Sequence, residues 1–504
     1  MTNIARSSAK AERAASTITS DLAVGSEHDY TTAENGIVPL NERKPWFHFA
    51  TLWLTLESGF TYIVPGIALH AAGLSLAKST LYLLLGMAIY LAYGMAAAHI
   101  GARSGQTVTL LSRSILGSAG SGVVSLFLIV TQTGWAGFQA YFTVDLLNGL
   151  FGWGLAKSSI MLFGCIASVL MVINNVVGFH GIATFARKIV TPILLAWTFY
   201  LLFKGIISDG SLLKGTPEVQ SALGIGPAMA LIIGTAIWGA EADIWRYSKP
   251  EPKTYAISYG FAFGAGVVVS GLCGWIAAQI VLSGDAKADT GLAGLLPWMT
   301  KYSLFDLKWL MLIVVLVVQV SLNDGNYYEA INALQNVFSG IKGWTRRYSC
   351  ALVAVLGVIA TLYVNSGDNL TGFSKIATFG AIGAPCATVI MAVDHFLLPR
   401  LFGISRPLLR VPTWAEAGRI NIPGVAALLI AVAYGIITTG VFSGSVPGWY
   451  WSTWGVAALE TWILAAVLYI AGVAIMRNRQ ALGFPVYELD TDIPNRPIDI
   501  VSPV

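Results

Sequence analysis

The chain is 504 residues long, with 55% hydrophobic residues, 11% charged residues and a formal net charge of +4. Soluble domains carry roughly 25% charged residues, so this composition is too apolar to cover a soluble surface. Apolar runs of about 20 residues, the length that crosses the hydrocarbon core of a bilayer, recur between Trp46 and Met476. The composition therefore excludes a soluble globular protein and predicts an all-α integral membrane protein.

Twelve apolar segments follow one another along the chain, and each predicts a membrane-spanning helix; they are called spans 1 to 12 here. They cover residues 46–70, 76–101, 121–147, 158–179, 183–206, 225–247, 255–283, 306–337, 348–365, 371–398, 423–444 and 451–476. Residues 1–45 and 477–504 are predominantly polar. We expect the first segment to be a disordered cytoplasmic tail and the second to be a cytoplasmic C-terminal tail.

Arginine and lysine are unevenly distributed between the two sides of the predicted bundle. If the N-terminus is cytoplasmic, every arginine lies in a cytoplasmic tail, a cytoplasmic connection or an adjoining span end. The basic residues on the outer side are all lysines: Lys78, Lys157, Lys204, Lys214, Lys287, Lys301, Lys308 and Lys375. The positive-inside rule then predicts a multi-pass protein of the plasma (inner) membrane with both termini in the cytoplasm.

Spans 1 and 6 both contain small or helix-breaking residues that predict interrupted helices. The interruptions are Ser58-Gly59 and Pro65-Gly66 in span 1, and Gly234-Thr235 and Gly239-Ala240 in span 6. Interrupted helices at matching positions of two halves are typical of inverted-repeat transporters, in which substrate and coupling ion bind near the bilayer midplane. The pattern predicts five-span repeats over residues 46–206 and 225–398, followed by spans 11 and 12 over 423–476. The alternative is that these glycines only allow close helix packing.

Span 3 carries two amide side chains and one indole on a single helical face. Gln132, Trp135 and Gln139 are spaced i, i+3 and i+7, so they project from the same side. A flat heterocycle can stack on an indole, and a carboxamide both donates and accepts hydrogen bonds. The pattern indicates a site for a nucleobase-like ring, with Trp238 of span 6 as a candidate second stacking surface. The alternative is that the glutamines join neighbouring helices and the tryptophan packs between them.

Several acidic residues lie within the apolar spans. Asp324 follows the apolar first half of span 8, and Glu57 lies beside the interruption of span 1. A lipid-exposed carboxylate costs roughly 2.5–3.5 kcal/mol even on the lenient insertion scale, so an intramembrane acid is by default a functional candidate. We interpret both acids as candidates for ion coupling, with sodium and proton both open. Asp243 and Arg246, spaced i, i+3, are expected to pair on the helix surface near the interface and to be structural.

The sequence lacks the motifs of the common enzyme classes. No Walker P-loop, HExxH, GxSxG or Rossmann glycine fingerprint occurs. We therefore expect a protein that is not an enzyme, uses no cofactor and moves a solute with an ion gradient or passively. The basic residues line one membrane face rather than a groove, which argues against a nucleic-acid partner. The expected partners are a small solute and the bilayer, and we expect a monomer.

Four short segments match one family in order and spacing: Ile100–Gly105, Leu110–Arg113, Thr131–Trp135 and Leu322–Asp324. Through them the chain resembles the cytosine permease branch of the nucleobase–cation symporter family, from about residue 47 to residue 399. The resemblance implies twelve helices, with a leucine-transporter-type core of two inverted five-helix repeats and two C-terminal helices. It also implies alternating access and the import of cytosine, a purine or a related heterocycle together with Na⁺ or H⁺.

The resemblance assigns roles to individual residues. It implies that Gln132 and Trp135 hold and stack the base, and that Phe60 or Thr61 lines the break in span 1. Trp238 falls near the stacking aromatic of span 6. The candidate substrate-binding residues are therefore Gln132, Trp135, Gln139, Phe60, Thr61, Trp238 and Asn323.

The family's sodium site uses two adjacent hydroxyl residues just before an Asn-Asp pair, and the corresponding residues here are Ser321 and Leu322. A sodium site at Gly59 and Ser321 would therefore lack one hydroxyl ligand. Glu57 supplies an acidic group instead, and the hypothesis is that it carries the coupling charge, as a proton or by binding a cation. The candidate cation-coupling residues are Glu57, Ser321 and Asp324.

Other functions compatible with the same residues stay open. One is a transporter of the same fold for another small solute, such as a hydantoin, allantoin, a vitamin, an amino acid or an osmolyte. The other is a membrane receptor that keeps the fold without transport. Gradient-driven uptake in vesicles distinguishes a transporter from a receptor.

Overall fold

A computed structural model of the chain describes residues 36–176, 178–208, 224–284, 304–367, 369–406, 408, 411, 420–476 and 487–488. Helices make up most of this part of the chain, and the two short strands are β1 (Ile404–Ser405) and β2 (Tyr487–Glu488), which pair antiparallel. The prediction of an all-α membrane protein is therefore confirmed.

The first half of the helical bundle comprises seven α-helices. They are α1 (Trp46–Leu56), α2 (Phe60–Ala71), α3 (Leu76–Ser104), α4 (Val108–Phe151), α5 (Lys157–Met171), α6 (Phe179–Phe185) and α7 (Thr191–Ser208). A 3₁₀ turn at Ile173–Val176 precedes α6, and a π-helical segment at Ala186–Val190 joins α6 to α7.

The second half continues with eleven α-helices. They are α8 (Ile225–Ala236), α9 (Glu241–Trp245), α10 (Pro252–Phe261), α11 (Val269–Gly284), α12 (Lys308–Val337), α13 (Arg346–Val364), α14 (Asn369–Ile382), α15 (Ala384–Phe396), α16 (Leu398–Phe402), α17 (Ile422–Thr439) and α18 (Ala457–Met476). A π-helical segment at Ala262–Val268 makes α10 and α11 one continuous rod. A short 3₁₀ turn at Leu304–Asp306 precedes α12.

The described residues contain 11 helical segments that are long and apolar enough to cross a membrane. Helices α1 and α2 bend by 55° at the break between them, and they supply a twelfth span when they are taken as one. The predicted spans are thus all occupied by helix. The arrangement of the spans as two inverted five-helix repeats stays a prediction.

The breaks in spans 1 and 6 lie at only one of the two positions predicted in each. Helix α1 ends at Leu56 and α2 begins at Phe60, while α8 ends at Ala236 and α9 begins at Glu241. The Ser58-Gly59 and Gly239-Ala240 predictions are therefore confirmed. Gly59 and Gly239 have φ values of 108° and 80°, which a residue with a Cβ adopts only with strain.

The other two predicted interruptions, Pro65-Gly66 and Gly234-Thr235, are wrong, because both lie inside continuous helix. A Cβ on Gly66 would collide with the backbone oxygen of Gly271, and one on Gly234 would collide with the backbone oxygen of Ala377. These two glycines allow helices to pack closely, which is the alternative that the sequence left open.

Helix α4 has two parts that meet at Gly117 (φ 79°, ψ 175°), and the second part begins close to the predicted start of span 3 at residue 121. The first part was not predicted. It starts at Val108, after Thr107 accepts a hydrogen bond from Leu110 N at 3.2 Å. A threonine N-cap in front of an apolar turn is the sequence signal for this start. Among the described helix pairs, α4 and α12 make the most extensive contact.

Residues 36–45 belong to the folded body and do not form part of a disordered tail. Val38 and Arg43 are 2% and 4% exposed, and Val38 N donates to Gly105 O at 2.9 Å. The Arg43 guanidinium donates to the backbone oxygens of Val38 and Ala102. The tail prediction is thus wrong for this segment, and its residues 1–35 lie outside the described residues. Of the C-terminal tail, only residues 487–488 are described.

Candidate functional site

A cavity lies where the breaks of spans 1 and 6 face the middle of helices α4 and α12. Its free volume in this conformation is about 20 Å³, room for about one water molecule, so the surrounding side chains must move apart to admit a ring. Its lining residues are Thr61, Tyr62, Gln132, Trp135, Gln139, Thr235, Ile237, Trp238, Leu322 and Asn326. Five predicted substrate-binding residues, Gln132, Trp135, Gln139, Thr61 and Trp238, are thereby brought together.

The break in span 1 is closely packed and contains a buried acid. Gly59 leaves no room for a side chain, because a Cβ there would lie 2.5 Å from Val318 Cγ1 on α12. Glu57 ends helix α1 and is 0% exposed. Its Oε1 accepts a hydrogen bond from Trp238 Nε1 at 3.0 Å, whereas its Oε2 has no hydrogen-bond partner among the described residues. The break thus aims one carboxylate oxygen at the indole that lines the cavity.

The break in span 6 is organised by a second buried acid, Glu241. Its Oε1 accepts from the backbone N–H groups of Trp238 and Gly239 at 3.1 and 3.2 Å, as a carboxylate does at a helix N-terminus. Its Oε2 accepts from Tyr93 Oη at 2.6 Å, and Tyr90 Oη donates to Oε1 at 3.3 Å. Glu241 therefore satisfies the backbone groups that the break releases and fixes Trp238.

Gln132 joins this break to a third buried acid. Its Nε2 donates to Trp238 O and to Glu329 Oε2, each at 2.6 Å. The other oxygen of Glu329 and the carbonyl oxygen of Gln132 are buried, and neither has a hydrogen-bond partner within the described part of the chain. Gln132 is thus held firmly by its nitrogen and leaves its oxygen available.

Glu57, Glu241 and Glu329 all converge on Trp238, and they are called the carboxylate cluster here. The first bonds to the indole nitrogen, the second to the backbone nitrogen, and the third reaches the backbone oxygen through Gln132. Each is 0% exposed. Within the described part of the chain, no lysine or arginine forms an ion pair with any of the three.

Trp238 and Trp135 are the two indoles of the cavity. A Cβ on Gly325 of α12 would lie 2.5 Å from the Trp238 ring, so this glycine provides the space for the indole. Trp135 is held from behind by the edge of Phe373, with ring centroids 5.3 Å apart. Both indoles are nearly buried and line the same space, as the stacking prediction requires.

Gln139 is linked to protein groups at both ends of its amide. Its Nε2 donates to Thr61 Oγ1 at 2.5 Å, and its Oε1 accepts from Gln319 Nε2 at 2.9 Å. The amide therefore joins α2, α4 and α12. This contact agrees with the alternative reading, in which a glutamine connects neighbouring helices, although the side chain also lines the cavity.

Three predicted residues lie away from the cavity lining. Phe60 packs on Trp197 with ring centroids 4.5 Å apart. Asn323 Nδ2 donates to Ala136 O and to Met171 Sδ, between α4 and α5. Asp324 Oδ2 accepts from Asn174 Nδ2 at 2.6 Å. The polar groups of Asn323 and Asp324 thus face the span 4 side of α12 and not the cavity. Consecutive residues of a helix project in different directions, so a residue adjacent in sequence to the cavity lining can point away from it.

The candidate sodium site keeps one of its two expected hydroxyl ligands. Ser321 Oγ is buried and has no hydrogen-bond partner among the described residues, which suits a ligand. The adjacent residue is Leu322, whose alkyl side chain cannot coordinate a cation. A hard cation such as Na⁺ prefers several oxygen ligands, so the loss of one hydroxyl weakens the site.

Asp243 and Arg246 do not lie on the helix surface, because both are 0% exposed. Asp243 accepts from Val108 N at 2.7 Å and from Asn332 Nδ2 at 2.8 Å. Arg246 Nη2 donates to Tyr328 Oη at 2.9 Å. The surface location was wrong, since hydropathy does not reveal that α9 packs mainly against α3 and is bonded to α4 and α12 through Asp243.

Sequence reasoning gave no role to Glu241, Glu329 or Asn326. A usable signal existed on α12, where Leu322, Asn326 and Glu329 are spaced i, i+4 and i+7 and therefore share one face. Two of them line the cavity and the third holds Gln132. No comparable signal marks Glu241, because its role depends on the backbone geometry of the break.

Comparisons with known proteins agree with this architecture. Residues 38–448 match a family described as permease for cytosine/purines, uracil, thiamine, allantoin. The cytosine permease of Escherichia coli (strain K12) is 25% identical over 383 residues, which cover 74% of this chain and 81% of that protein. The same identity and coverage hold for the cytosine permease of Escherichia coli O157:H7.

Two solved structures share the fold. One is a nucleobase-cation-symport-1 family transporter in a closed conformation with bromovinylhydantoin bound. Its TM-score is 0.67 and its sequence identity is 16%, and the match covers 88% of this chain and 96% of that one. The other is a Na⁺-coupled sialic acid symporter in a substrate-bound outward-open state. Its TM-score is 0.58 and its sequence identity is 10%, and the match covers 91% of this chain and 94% of that one. Because both identities are low, these similarities establish the fold alone.

Proposed function

The chain belongs to the family of permeases for cytosine/purines, uracil, thiamine and allantoin, and on that premise we propose that it imports a nucleobase-like heterocycle by cation symport. It is a multi-pass membrane transporter and not an enzyme. We further propose that it acts as a monomer in the plasma membrane, with both termini cytoplasmic and two inverted repeats that alternate access to the cavity.

One observation carries the substrate proposal. Trp135 and Trp238 line a single cavity together with Gln132, a residue that is 1% exposed and whose carbonyl oxygen has no partner in the described part of the chain. Two indoles provide flat apolar surfaces for a ring, and an unpartnered buried acceptor calls for a ligand N–H. The related cytosine permeases take a molecule of this kind, which supports the same class for this chain.

The coupling ion is proposed to be a proton carried at Glu57. The acid lies at the span 1 break and contacts Trp238, so its charge and the cavity are linked directly. Burying a carboxylate without a counter-charge is unfavourable, and binding a proton removes that cost. The alkyl side chain of Leu322, in place of a second hydroxyl ligand, weakens the sodium alternative, whereas the unpartnered Ser321 Oγ favours it.

Uptake into proteoliposomes tests both proposals. Radiolabelled cytosine or adenine should accumulate under an inward proton gradient without sodium, and accumulation should be lost in Glu57→Gln. Gln132→Ala should weaken binding by about tenfold or more, because it removes a buried hydrogen-bond partner of the ring. Glu460→Gln is a matched control, since this acid bonds to Tyr434 on the outer helices α17 and α18.

Each alternative has a distinct result in the same assay. Sodium-dependent uptake that is unchanged in Glu57→Gln would overturn the proton proposal and leave symport intact. Binding without uptake under any gradient would identify a receptor. Uptake of an amino acid or an osmolyte, with no binding of any heterocycle, would overturn the substrate proposal.

A further inference from the structure

We infer that the cavity recognises hydrogen-bond donors and therefore selects amino-substituted heterocycles over the oxo compounds of the same size. In this inference Glu329 is a positioning residue that sets the orientation of the Gln132 amide. The inference rests on the proposed function, because it narrows the class of heterocycle. It assigns a specificity role to an acid that the resemblance to the family left without one.

The first step concerns which end of Gln132 faces the ligand. Two acceptors, Trp238 O and Glu329 Oε2, lie 2.6 Å from its terminal nitrogen. Only the NH₂ end of an amide can satisfy two acceptors, so the carbonyl oxygen must face the other way. That oxygen is buried, has no partner among the residues that the structure describes, and belongs to a side chain that lines the cavity.

A second amide in the lining is oriented in the same manner. Asn326 Nδ2 donates to Asn323 Oδ1 at 3.1 Å, so the nitrogen is directed along α12. Its carbonyl oxygen has no hydrogen-bond partner among the described residues, although the side chain is only 5% exposed. The amide atoms that Gln132 and Asn326 leave available are thus both acceptors.

The negative charge of the carboxylate cluster also favours a ligand that donates hydrogen bonds. The three acids of the carboxylate cluster are bonded around Trp238, and no described lysine or arginine forms an ion pair with them. Any negative charge that the cluster retains attracts the positive end of an N–H bond and repels the lone pairs of a carbonyl. A low local dielectric makes both effects stronger than in water.

Amino and oxo heterocycles differ in the group that this surface distinguishes. An exocyclic amine carries two N–H donors at one position, whereas the oxo group that replaces it carries only acceptor lone pairs. An amine can donate to the free oxygen of Gln132 or of Asn326, while an oxo group would place two acceptors face to face. A site with unpaired buried acceptors rejects such a ligand strongly.

Glu329 keeps this arrangement in place. Its Oε2 is an obligate acceptor for Gln132 Nε2 when ionised, and its Oε1 is buried without a partner. A glutamine at position 329 can instead offer an NH₂ group to the Gln132 oxygen and remove the negative charge. That change weakens both the fixed orientation of Gln132 and the electrostatic preference for donors.

Competition binding to the purified full-length protein tests the inference with two matched pairs, cytosine against uracil and adenine against hypoxanthine. The amino member of each pair should bind about tenfold more tightly or better, the factor expected when a buried acceptor is left unpaired. Glu329→Gln should reduce this ratio at least about threefold. Glu460→Gln, the same chemical change on α18, should leave the ratio unaltered.

The ratio of affinities separates a specificity role from a purely structural one, because a loss of folded protein lowers the binding of both members equally. Equal or tighter binding of uracil and hypoxanthine would overturn the inference while the proposed function stands. An unchanged ratio in Glu329→Gln would overturn the role of Glu329. If none of the four compounds binds, the proposed substrate class itself is wrong.

Discussion

Two buried acidic sites in this protein differ in how their charge is balanced. At the end of α15, Asp394 forms an ion pair with Arg406 at 3.0 Å, and both side chains are 3% exposed. Tyr469 Oη donates to the same carboxylate, and Arg406 also donates to Ser114 O. The carboxylate cluster around Trp238 is buried equally deeply, but hydrogen-bond donors without positive charge surround it.

The difference separates a structural acid from a candidate functional one. A buried pair with a satisfied hydrogen-bond network fixes the position of its helices, and nothing about it needs to change during transport. Acids without a counter-charge are unfavourable unless a proton, a cation or a ligand compensates them. The cluster can therefore respond to its ligand and ion, whereas the charge of the Asp394–Arg406 pair is already balanced.

Breaking the balanced pair should have the largest effect on stability. Arg406→Met leaves Asp394 buried without its counter-charge, which typically costs about 3–5 kcal/mol. We expect a large fall in the thermal unfolding midpoint of the purified protein. The double variant Asp394→Asn with Arg406→Met should recover most of the loss. If Arg406→Met unfolds at the wild-type temperature, the Asp394–Arg406 pair does not stabilise the fold as its geometry indicates.

Displacing the Trp238 indole should have an intermediate effect on stability, and it should disturb the carboxylate cluster but not the Asp394–Arg406 pair. Gly325→Ala places a methyl group about where the indole lies, and overpacking of this kind costs about 1–3 kcal/mol. We expect weaker substrate binding, because the indole lines the cavity and bonds to Glu57. Gly122→Ala on α4, where no atom lies within 4 Å of the added carbon, is the control. If Gly325→Ala binds substrate with wild-type affinity, Trp238 does not form part of the binding site.

Neutralising the cluster should have the smallest effect on stability. Glu57→Gln and Glu329→Gln keep the side-chain shape, and no positive partner is left unpaired. We expect each to change the free energy of unfolding by less than about 1.5 kcal/mol, far below the Arg406→Met effect. Thermal unfolding of these two variants and Arg406→Met under one condition provides the comparison. A loss as large as that of Arg406→Met would indicate that the cluster is a structural site like the pair.

The amino-acid sequence by itself determined the membrane class, the segments that span the bilayer and the residues of one helical face. Hydrophobic run length predicts spans because the bilayer has a fixed thickness, and the i, i+3, i+7 spacing of Gln132, Trp135 and Gln139 follows from helix geometry alone. It also indicated both helix breaks, but it could not distinguish Gly59 and Gly239, which break helices, from Gly66 and Gly234, which pack against neighbours.

Only the tertiary structure decided which acids share a site and how they are compensated. Glu57, Glu241 and Glu329 lie far apart in sequence and meet through the side chain and backbone of Trp238. Asp324, an equally plausible acid, is turned instead towards Asn174. A carboxylate in an apolar segment predicts that some partner exists, but hydrogen bonds depend on direction and distance. The partner is therefore fixed only when the helices pack.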